Sequence, residues 1–182
     1  MSELGPVLLQ LARAAIAQRF GHGVPAIADL PELHRPGATF VTLTQHGQLR
    51  GCIGSLEAWR PLRTDVQENA RGAAFRDPRF EPLREDELLQ TRVEVSLLTP
   101  AELINCRDES DALGQLRPNI DGVIFTAGHH RSTFLPQVWE QLPDPGEFMA
   151  HLKQKAGLAV DYWGPNVQLE RYGVKKWKEA LP

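Results

Sequence analysis

The sequence is poor in several features whose abundance would identify a class of protein. It has only two cysteines in 182 residues, Cys52 and Cys106, too few for the disulfide framework of a small secreted domain. Its 20 basic side chains do not outnumber its 23 acidic ones, so there is no basic surplus of the kind that nucleic-acid binders carry. The apolar stretch over residues 7–20 is interrupted by Arg13 and Gln18 and is too short and too polar to span a membrane. Nucleic-acid and membrane partners are therefore not expected.

The start of the sequence also lacks an export signal. No basic segment precedes an apolar stretch there. Together with the scarcity of cysteine, this predicts a cytoplasmic protein in which Cys52 and Cys106 are free thiols. A disulfide between these two residues is the alternative.

The motifs that identify common cofactor and metal sites are missing too. The chain has no phosphate-binding loop, dinucleotide-binding fingerprint, nucleophile elbow or zinc-protease motif. The two cysteines lack the paired spacing of a structural zinc site. The sequence thus predicts no metal site and leaves the cofactor, if there is one, unknown.

Apolar periodicity predicts helices alternating with short strands. Helices are expected over residues 7–20, from Pro61 onward, over the acidic stretch 84–90, and after Asp144, where Asp, Pro and Glu form a helix start. Strands are expected over residues 38–44, 48–55, 92–98, 122–126, 132–135 and 167–172. Two tight turns make hairpins, and this order of elements predicts an α+β fold with mainly antiparallel sheets. The basic, aromatic segment 175–178 is interpreted as a tail.

The first candidate site lies on the second predicted strand. Residues two apart share a face of a strand, so Arg50 and Cys52 are expected to project together, and the guanidinium would lower the pKa of the thiol. Gly51 and Gly54 would let another backbone or a ligand approach closely. These features make Cys52 a candidate nucleophile or ligand contact. The alternative is that Cys52 packs against Val41 as a small apolar residue and that the glycines mark a bulge.

Charged side chains form the second candidate region. Arg76, Asp77 and Arg79 lie in a proline-bracketed loop and could hold an anionic group, or they could be solvated charges at a helix end. Glu94 lies within an apolar strand and could act as a base in a cleft, although an exposed strand face also explains it. The two adjacent histidines 129–130 fall at a hairpin tip and are interpreted as solvated.

Several ordered motifs resemble one protein family. The segment LRGCIGS over residues 49–55 is similar to the signature of the AMME-syndrome candidate-region protein family, whose bacterial and archaeal members are called AmmeMemoRadiSam system protein A. Further matches follow in the family's order, and the resemblance extends over nearly the whole chain. They are DPRFEPL at 77–83, VEVSLLTP at 93–100, DGV at 121–123, FLPQV at 134–138 and KAGL at 155–158.

The resemblance implies an α+β fold in which residues 1–182 form a single AMME-type domain. It implies two unequal lobes, each around an antiparallel sheet, with the signature segment near the cleft between them. It also implies a family without a settled biochemical activity. The family name reflects association with a Memo-like protein and a radical S-adenosylmethionine protein, so these are the expected partners.

Two hypotheses of function follow. In the first, the chain is an enzyme or enzyme component that uses Cys52 on a small anionic substrate in the cleft. In the second, it is a non-catalytic partner or scaffold for the Memo-like and radical S-adenosylmethionine proteins, and Cys52 is structural. The first hypothesis assigns catalysis to Cys52, Arg50 and Glu94, and substrate binding to Gly51, Ile53, Gly54, Arg76, Asp77 and Arg79.

Overall fold

The chain divides into two compact units. The structure, a computed structural model, describes residues 3–180; residues 1–2 and 181–182, the ends of the predicted domain, lie outside the described part. Unit 1 comprises residues 3–98 together with 175–180, and unit 2 comprises residues 99–174, so unit 2 is an insertion in the chain of unit 1. Both units contain helices and antiparallel strands, and the predicted α+β fold is confirmed.

Unit 1 is built from two long helices and one four-stranded sheet. Helix α1 spans Leu4–Ala17 and helix α2 spans Leu62–Phe75. The strands, in the spatial order β2-β1-β3-β8, are β1 (Thr39–Gln45), β2 (Gln48–Gly54), β3 (Thr91–Leu98) and β8 (Val174–Lys178). Short 3-10 helices span Gln18–Phe20, Pro31–His34 and Glu85–Gln90.

The core of unit 1 follows from the period of each element. Alternate residues of β1 and β3 are apolar and fully buried, among them Val41, Leu43 and Val95. The predicted apolar stripe of α1 is confirmed, since Leu8 and Leu11 are buried in the same cluster. One face of the sheet is therefore covered by apolar side chains of unit 1, and the opposite face carries polar ones.

Unit 2 has its own helices, sheet and core. Helix α3 spans Glu109–Gln115 and helix α4 spans Pro145–Lys155. The strands, in the order β4-β7-β5-β6, are β4 (Glu102–Leu103), β5 (Gly122–Ala127), β6 (His130–Phe134) and β7 (Val167–Tyr172). A 3-10 helix spans Pro136–Glu140. The predicted cap of α4 is confirmed, since the Asp144 side chain accepts from the Glu147 N–H.

Aromatic stacking organises the core of unit 2. The rings of Trp139 and Phe148 are stacked with centroids 3.8 Å apart. The indole N–H of Trp139 is satisfied by the backbone carbonyl of Asp121 at 2.7 Å. Both aromatic side chains are fully buried, so the stack joins helix α4 to the 3-10 helix that contains Trp139, and the indole hydrogen bond joins that helix to Asp121, just before β5. None of the helices within residues 3–180 is long and apolar enough to cross a membrane.

The basic segment near the end of the sequence is a strand rather than a tail. Val174–Lys178 forms β8, the neighbour of β3 in the sheet of unit 1. The tail interpretation is wrong because Trp177 supplies an anchor: it packs against the unit 1 core, and a Cβ on Gly5 of α1 would lie 2.3 Å from its ring. Helix α3 and strand β4 were also not predicted, because both are short and polar.

Glu179 fixes the chain directly after β8. Its carboxylate accepts from the Arg13 guanidinium of α1, with Nε to Oε1 at 2.9 Å, and from the backbone N–H of Val93 at 2.8 Å. Its own N–H donates to the Val93 carbonyl at 3.0 Å. One side chain therefore joins the end of the sheet to helix α1.

We expect Glu179→Ala to lower the free energy of unfolding by about 1–3 kcal/mol, because the Val93 N–H loses its side-chain acceptor and the Arg13 guanidinium loses its carboxylate partner, although it still donates to the Leu88 and Thr91 carbonyls. Urea denaturation followed by circular dichroism measures this loss. The control is Glu81→Ala at an exposed position, which should change stability by no more than about 0.5 kcal/mol. Equal effects of the two substitutions would contradict the role of Glu179.

Candidate functional site

The signature segment forms β2, an edge strand of the unit 1 sheet. The pairing register with β1 shifts between Leu43 and Thr44, which leaves Arg50 as the extra residue of a β-bulge. A bulge interrupts the alternation of side chains along a strand. Strand periodicity therefore does not place Arg50 beside Cys52 as expected.

Arg50 is engaged with a carboxylate of unit 1. Its Nε and Nη2 donate to Oε1 and Oε2 of Glu87 at 3.0 and 3.1 Å, and its guanidinium lies 5.9 Å from the Phe80 ring centroid. Hydrogen bonding from Arg50 lowers the pKa of Glu87 to about 2. The Glu87 carboxylate therefore compensates the positive charge of Arg50, the charge that was expected to activate the Cys52 thiol.

The Cys52 thiol is half-buried and is a free thiol, as is that of Cys106. Its Sγ lies 3.2 Å from the hydroxyl of Thr42, the residue directly opposite on β1. Burial raises the pKa of Cys52, and the hydrogen bond with Thr42 opposes this only in part. The predicted lowering of the pKa of Cys52 by Arg50 is therefore wrong. The alternative contact was also misplaced, since Ile53 and not Cys52 faces Val41.

The glycines of the segment make room for neighbouring parts of unit 1. A Cβ on Gly51 would lie 2.0 Å from the backbone oxygen of Ala73 in α2, and a Cβ on Gly54 would lie 2.2 Å from the Phe40 ring. Helix α2 and the Phe40 ring thus occupy the space beside these glycines, where a ligand or another backbone was expected to approach. Ile53 lies between them and packs against the core of unit 1.

An ion pair covers the outer edge of β2 at Cys52. The buried carboxylate of Asp77 accepts from the Cys52 N–H at 2.9 Å, and Nη2 of Arg79 donates to the Cys52 carbonyl at 3.4 Å. Arg79 also binds Asp77 through two nitrogens, at 3.0 and 2.7 Å. Hydrogen bonding from Arg79 holds the pKa of Asp77 well below its usual range. An edge strand normally leaves such backbone groups unpaired, and here two side chains satisfy them.

The loop arginines do not converge on a common acceptor. Arg79 is bound to Asp77, and Nη2 of Arg76 donates to the Glu68 backbone oxygen at 3.0 Å and lies 3.4 Å from its carboxylate. Each guanidinium thus has a partner within unit 1. Binding of an anionic group by this loop stays a prediction.

Glu94 lies in one row with the thiol across three neighbouring strands. Thr42 of β1 faces Cys52 of β2 on one side and Glu94 of β3 on the other. Lys176 and Lys178 of β8 lie 3.4 and 2.9 Å from the Glu94 carboxylate, whose side chain is only 15% exposed. This row of thiol, hydroxyl, carboxylate and ammonium groups is the polar face of the sheet.

The sequence reasoning missed a buried polar cluster beside the signature segment. The Asp65 carboxylate is fully buried and accepts from the Thr39 N–H at 2.8 Å, the Ser55 hydroxyl at 2.6 Å and the Arg60 Nε at 2.8 Å. Asn69, one turn later on α2, donates to the same carboxylate at 3.0 Å. The available signal was the pair of polar residues four apart on the apolar face of a predicted helix.

The histidines of the hairpin tip and Cys106 were also considered as site residues, and none of them belongs to a metal-binding cluster in the described part of the chain. His130 is held by the Ala156 backbone oxygen at 2.8 Å, and Cys106 is a half-buried thiol whose pKa burial raises. Across residues 3–180, no group of three or more His, Cys, Asp or Glu side chains could hold a metal ion.

Comparison with known proteins gives one consistent result. The family model described as AMMECR1 matches residues 9–177. The chain is 37% identical to Protein SSO0193 of Saccharolobus solfataricus over 99% of its own length and 83% of that protein. It is 37% identical to a protein of Methanothermobacter thermautotrophicus over 96% and 94% of the two chains. The crystal structure of the uncharacterized protein PH0010 from Pyrococcus horikoshii is similar with a TM-score of 0.84 and 33% identity, over 100% of this chain and 94% of that one.

We expect Gly51→Ala to destabilise the protein by about 1–3 kcal/mol or more, because the added methyl group meets a backbone oxygen that cannot move independently of α2. Thermal and urea unfolding measure the loss. The matched control is Gly114→Ala in helix α3, where an added Cβ meets open space and should stabilise by about 0.5–1 kcal/mol. An unchanged stability of the Gly51→Ala variant would contradict the conclusion that close packing against α2 requires this glycine.

We expect the alkylation of Cys52 by iodoacetamide to have its pH midpoint above about 8.5, the pKa of an ordinary thiol. The reason is that burial raises the pKa of Cys52 and leaves little thiolate at neutral pH. The measurement is the rate of alkylation against pH in a Cys106→Ser background, with the urea-unfolded chain as control. A pH midpoint in the folded protein at or below that of the unfolded chain would contradict the raised pKa of Cys52 and would support its role as a nucleophile.

Proposed function

The chain belongs to the AMMECR1 family, and from this premise we propose that it is a non-catalytic partner protein for a Memo-like and a radical S-adenosylmethionine protein. The family resemblance suggests these partners. The observation that carries the non-catalytic role is the engagement of the signature segment within unit 1. Neighbouring parts of unit 1 fill the space at its glycines, and Glu87 binds Nε and Nη2 of Arg50, although Nη1 of Arg50 is buried without a hydrogen-bond partner among the described residues. The segment is therefore largely engaged within unit 1, as a rigid scaffold would be.

Each distinctive residue of the signature has such a contact. Arg50 is neutralised by Glu87, and Gly51 is closed by helix α2. The backbone at Cys52 is held on its outer side by Asp77 and Arg79. A catalytic cysteine needs an ionised thiol, whereas burial here favours the neutral form. This pattern supports a structural role for the segment.

The second candidate function is a thiol enzyme acting on a small anionic substrate, with the expected cleft as its site. The row of Cys52, Thr42 and Glu94 across the sheet is the observation that favours it. Against it stand the raised pKa of Cys52 and the lysine partners that compensate Glu94. A cytoplasmic location, where a free thiol persists, belongs to either proposal.

The test measures complex formation with purified partners. We expect the wild-type chain to bind the Memo-like or the radical S-adenosylmethionine protein of the same organism at micromolar concentration, in size-exclusion chromatography and calorimetry. We expect Cys52→Ser to bind within about twofold of wild type, because the hydroxyl preserves the small volume and the polar contact with Thr42.

Two outcomes would overturn the proposal. Absence of any complex with either protein contradicts the partner role. The second outcome is catalysis: if the wild-type complex converts a small anionic substrate and the Cys52→Ser complex forms equally well but does not convert it, the thiol enzyme is established instead.

A further inference from the structure

The polar face of the unit 1 sheet holds a hydroxyl group without a partner. Ser96 of β3 is only 7% exposed and shares a face of its strand with Glu94, two residues earlier. In the part of the chain that the structure describes, no group makes a hydrogen bond with the Ser96 hydroxyl. Its oxygen is not one of the fully enclosed polar atoms that lack a partner, so it is accessible to a small ligand. The hydroxyl is therefore free to donate a hydrogen bond.

Two lysines of β8 reach the same face at Glu94. The Nζ atoms of Lys176 and Lys178 lie 3.4 and 2.9 Å from Oε1 and Oε2 of Glu94. The lysine side chains are 40% and 50% exposed, whereas that of Glu94 is 15% exposed, so the ammonium groups are the accessible part of this cluster. Residues two apart on one face of a strand lie roughly 7 Å apart, so one small ligand can contact both an ammonium group and the Ser96 hydroxyl.

Positive charge exceeds negative charge on this part of the face. Arg92 of β3 shares the face of Glu94, and its Nε donates to the backbone oxygen of Glu179, directly after β8. The Glu179 carboxylate is itself bound to Arg13. Within residues 3–180, Glu94 is the one carboxylate paired with the two lysines, and none is paired with Arg92. Three cations thus accompany a single carboxylate, and the excess favours an anion.

The neighbouring strand adds an apolar ring. Phe40 of β1 lies directly opposite Ser96. Its ring covers Gly54 of β2, where a Cβ would lie 2.2 Å from it. Phe40 is half-buried, so it limits the access of water on one side of the Ser96 hydroxyl. Attraction between charges is stronger where water is partly excluded than in bulk solvent.

We propose that Lys176, Lys178 and the Ser96 hydroxyl form a binding site for a small oxyanion, the carboxylate or phosphate group of a small molecule. The two ammonium groups and the hydroxyl donate to its oxygens, and Glu94 holds the lysines in place from the more enclosed side. This inference goes beyond the proposed function, because it gives the chain a ligand whether or not a partner protein binds.

The test is a titration of the full-length chain, labelled with ¹⁵N, with inorganic phosphate and separately with acetate. Sodium chloride keeps the ionic strength constant, and the amide resonances of residues 94–96 and 176–178 are followed. We expect saturable shifts with a dissociation constant of about 1 mM for the better probe, and the comparison of the two probes shows which kind of oxyanion the site prefers.

Variants of the three donors should weaken this binding. Lys176→Met and Lys178→Met should each raise the dissociation constant at least about fivefold, because a charged donor is lost, and Ser96→Ala should raise it about threefold. Lys175→Met is the matched control. Lys175 is exposed on the same strand but shares the face of Trp177, which packs against the core, so its loss should change the dissociation constant less than about twofold.

Glu94→Gln distinguishes an anion site from an ion pair that serves only the fold. Loss of the carboxylate frees both ammonium groups, so the dissociation constant should fall about fivefold. If neither wild type nor Glu94→Gln gives saturable shifts with phosphate or acetate, the site is overturned. If Lys175→Met weakens binding as much as Lys178→Met does, the strand attracts an adventitious ion only. Partner binding is measured in phosphate-free buffer, so either proposal can fail alone.

Discussion

The Asp65 carboxylate is removed from solvent on helix α2, and burying a charge in this way is costly unless every lone pair is matched. Here Thr39 donates twice, and Ser55, Asn69 and Arg60 donate once each to the two oxygens. These donors come from the start of β1, from the residue directly after β2, from Arg60 before α2 and from α2 itself. The carboxylate therefore links the elements that surround the signature segment, and a shift of any one of them would remove a donor from the buried charge.

Contacts within unit 1 also explain why the sequence of the signature segment suggests a reactive thiol, whereas its structure suggests a packed strand. In the sequence, an arginine and two glycines near Cys52 made it a candidate nucleophile or ligand contact. In unit 1 each of these residue types has a structural use: Arg50 joins the bulge to Glu87, Gly51 admits helix α2, and the Cys52 backbone is closed by Asp77. Substitutions in this segment are therefore expected to destabilise the fold, whether or not the segment has a catalytic role.

The sequence was sufficient for the long helices α1, α2 and α4, the hairpins and the α+β class, because apolar periodicity and turn residues act locally. It did not predict the short, polar helix α3. It was insufficient wherever an outcome depended on a partner distant in the chain. Arg50 pairs with Glu87 and Arg13 with Glu179, and nothing near either arginine predicts its acceptor. The bulge at Arg50 could not be predicted for a related reason. One extra residue moves the side chains that follow to the other face of the sheet, but it leaves the composition of the strand unchanged.

The order of the elements along the chain has a consequence for biosynthesis. Strand β8 follows all of unit 2 in the sequence, yet it completes the sheet of unit 1. On the ribosome, helices α1 and α2 and strands β1 to β3 emerge long before their last neighbour does, and the outer edge of β3 waits unpaired while the inserted unit is translated. Thr99 and Gly173, near the two ends of unit 2, are hydrogen-bonded to each other, so unit 2 also lacks one of its contacts until Gly173 has been made. The sheet of unit 1 therefore begins with early segments of the chain and is completed only after unit 2 has been made.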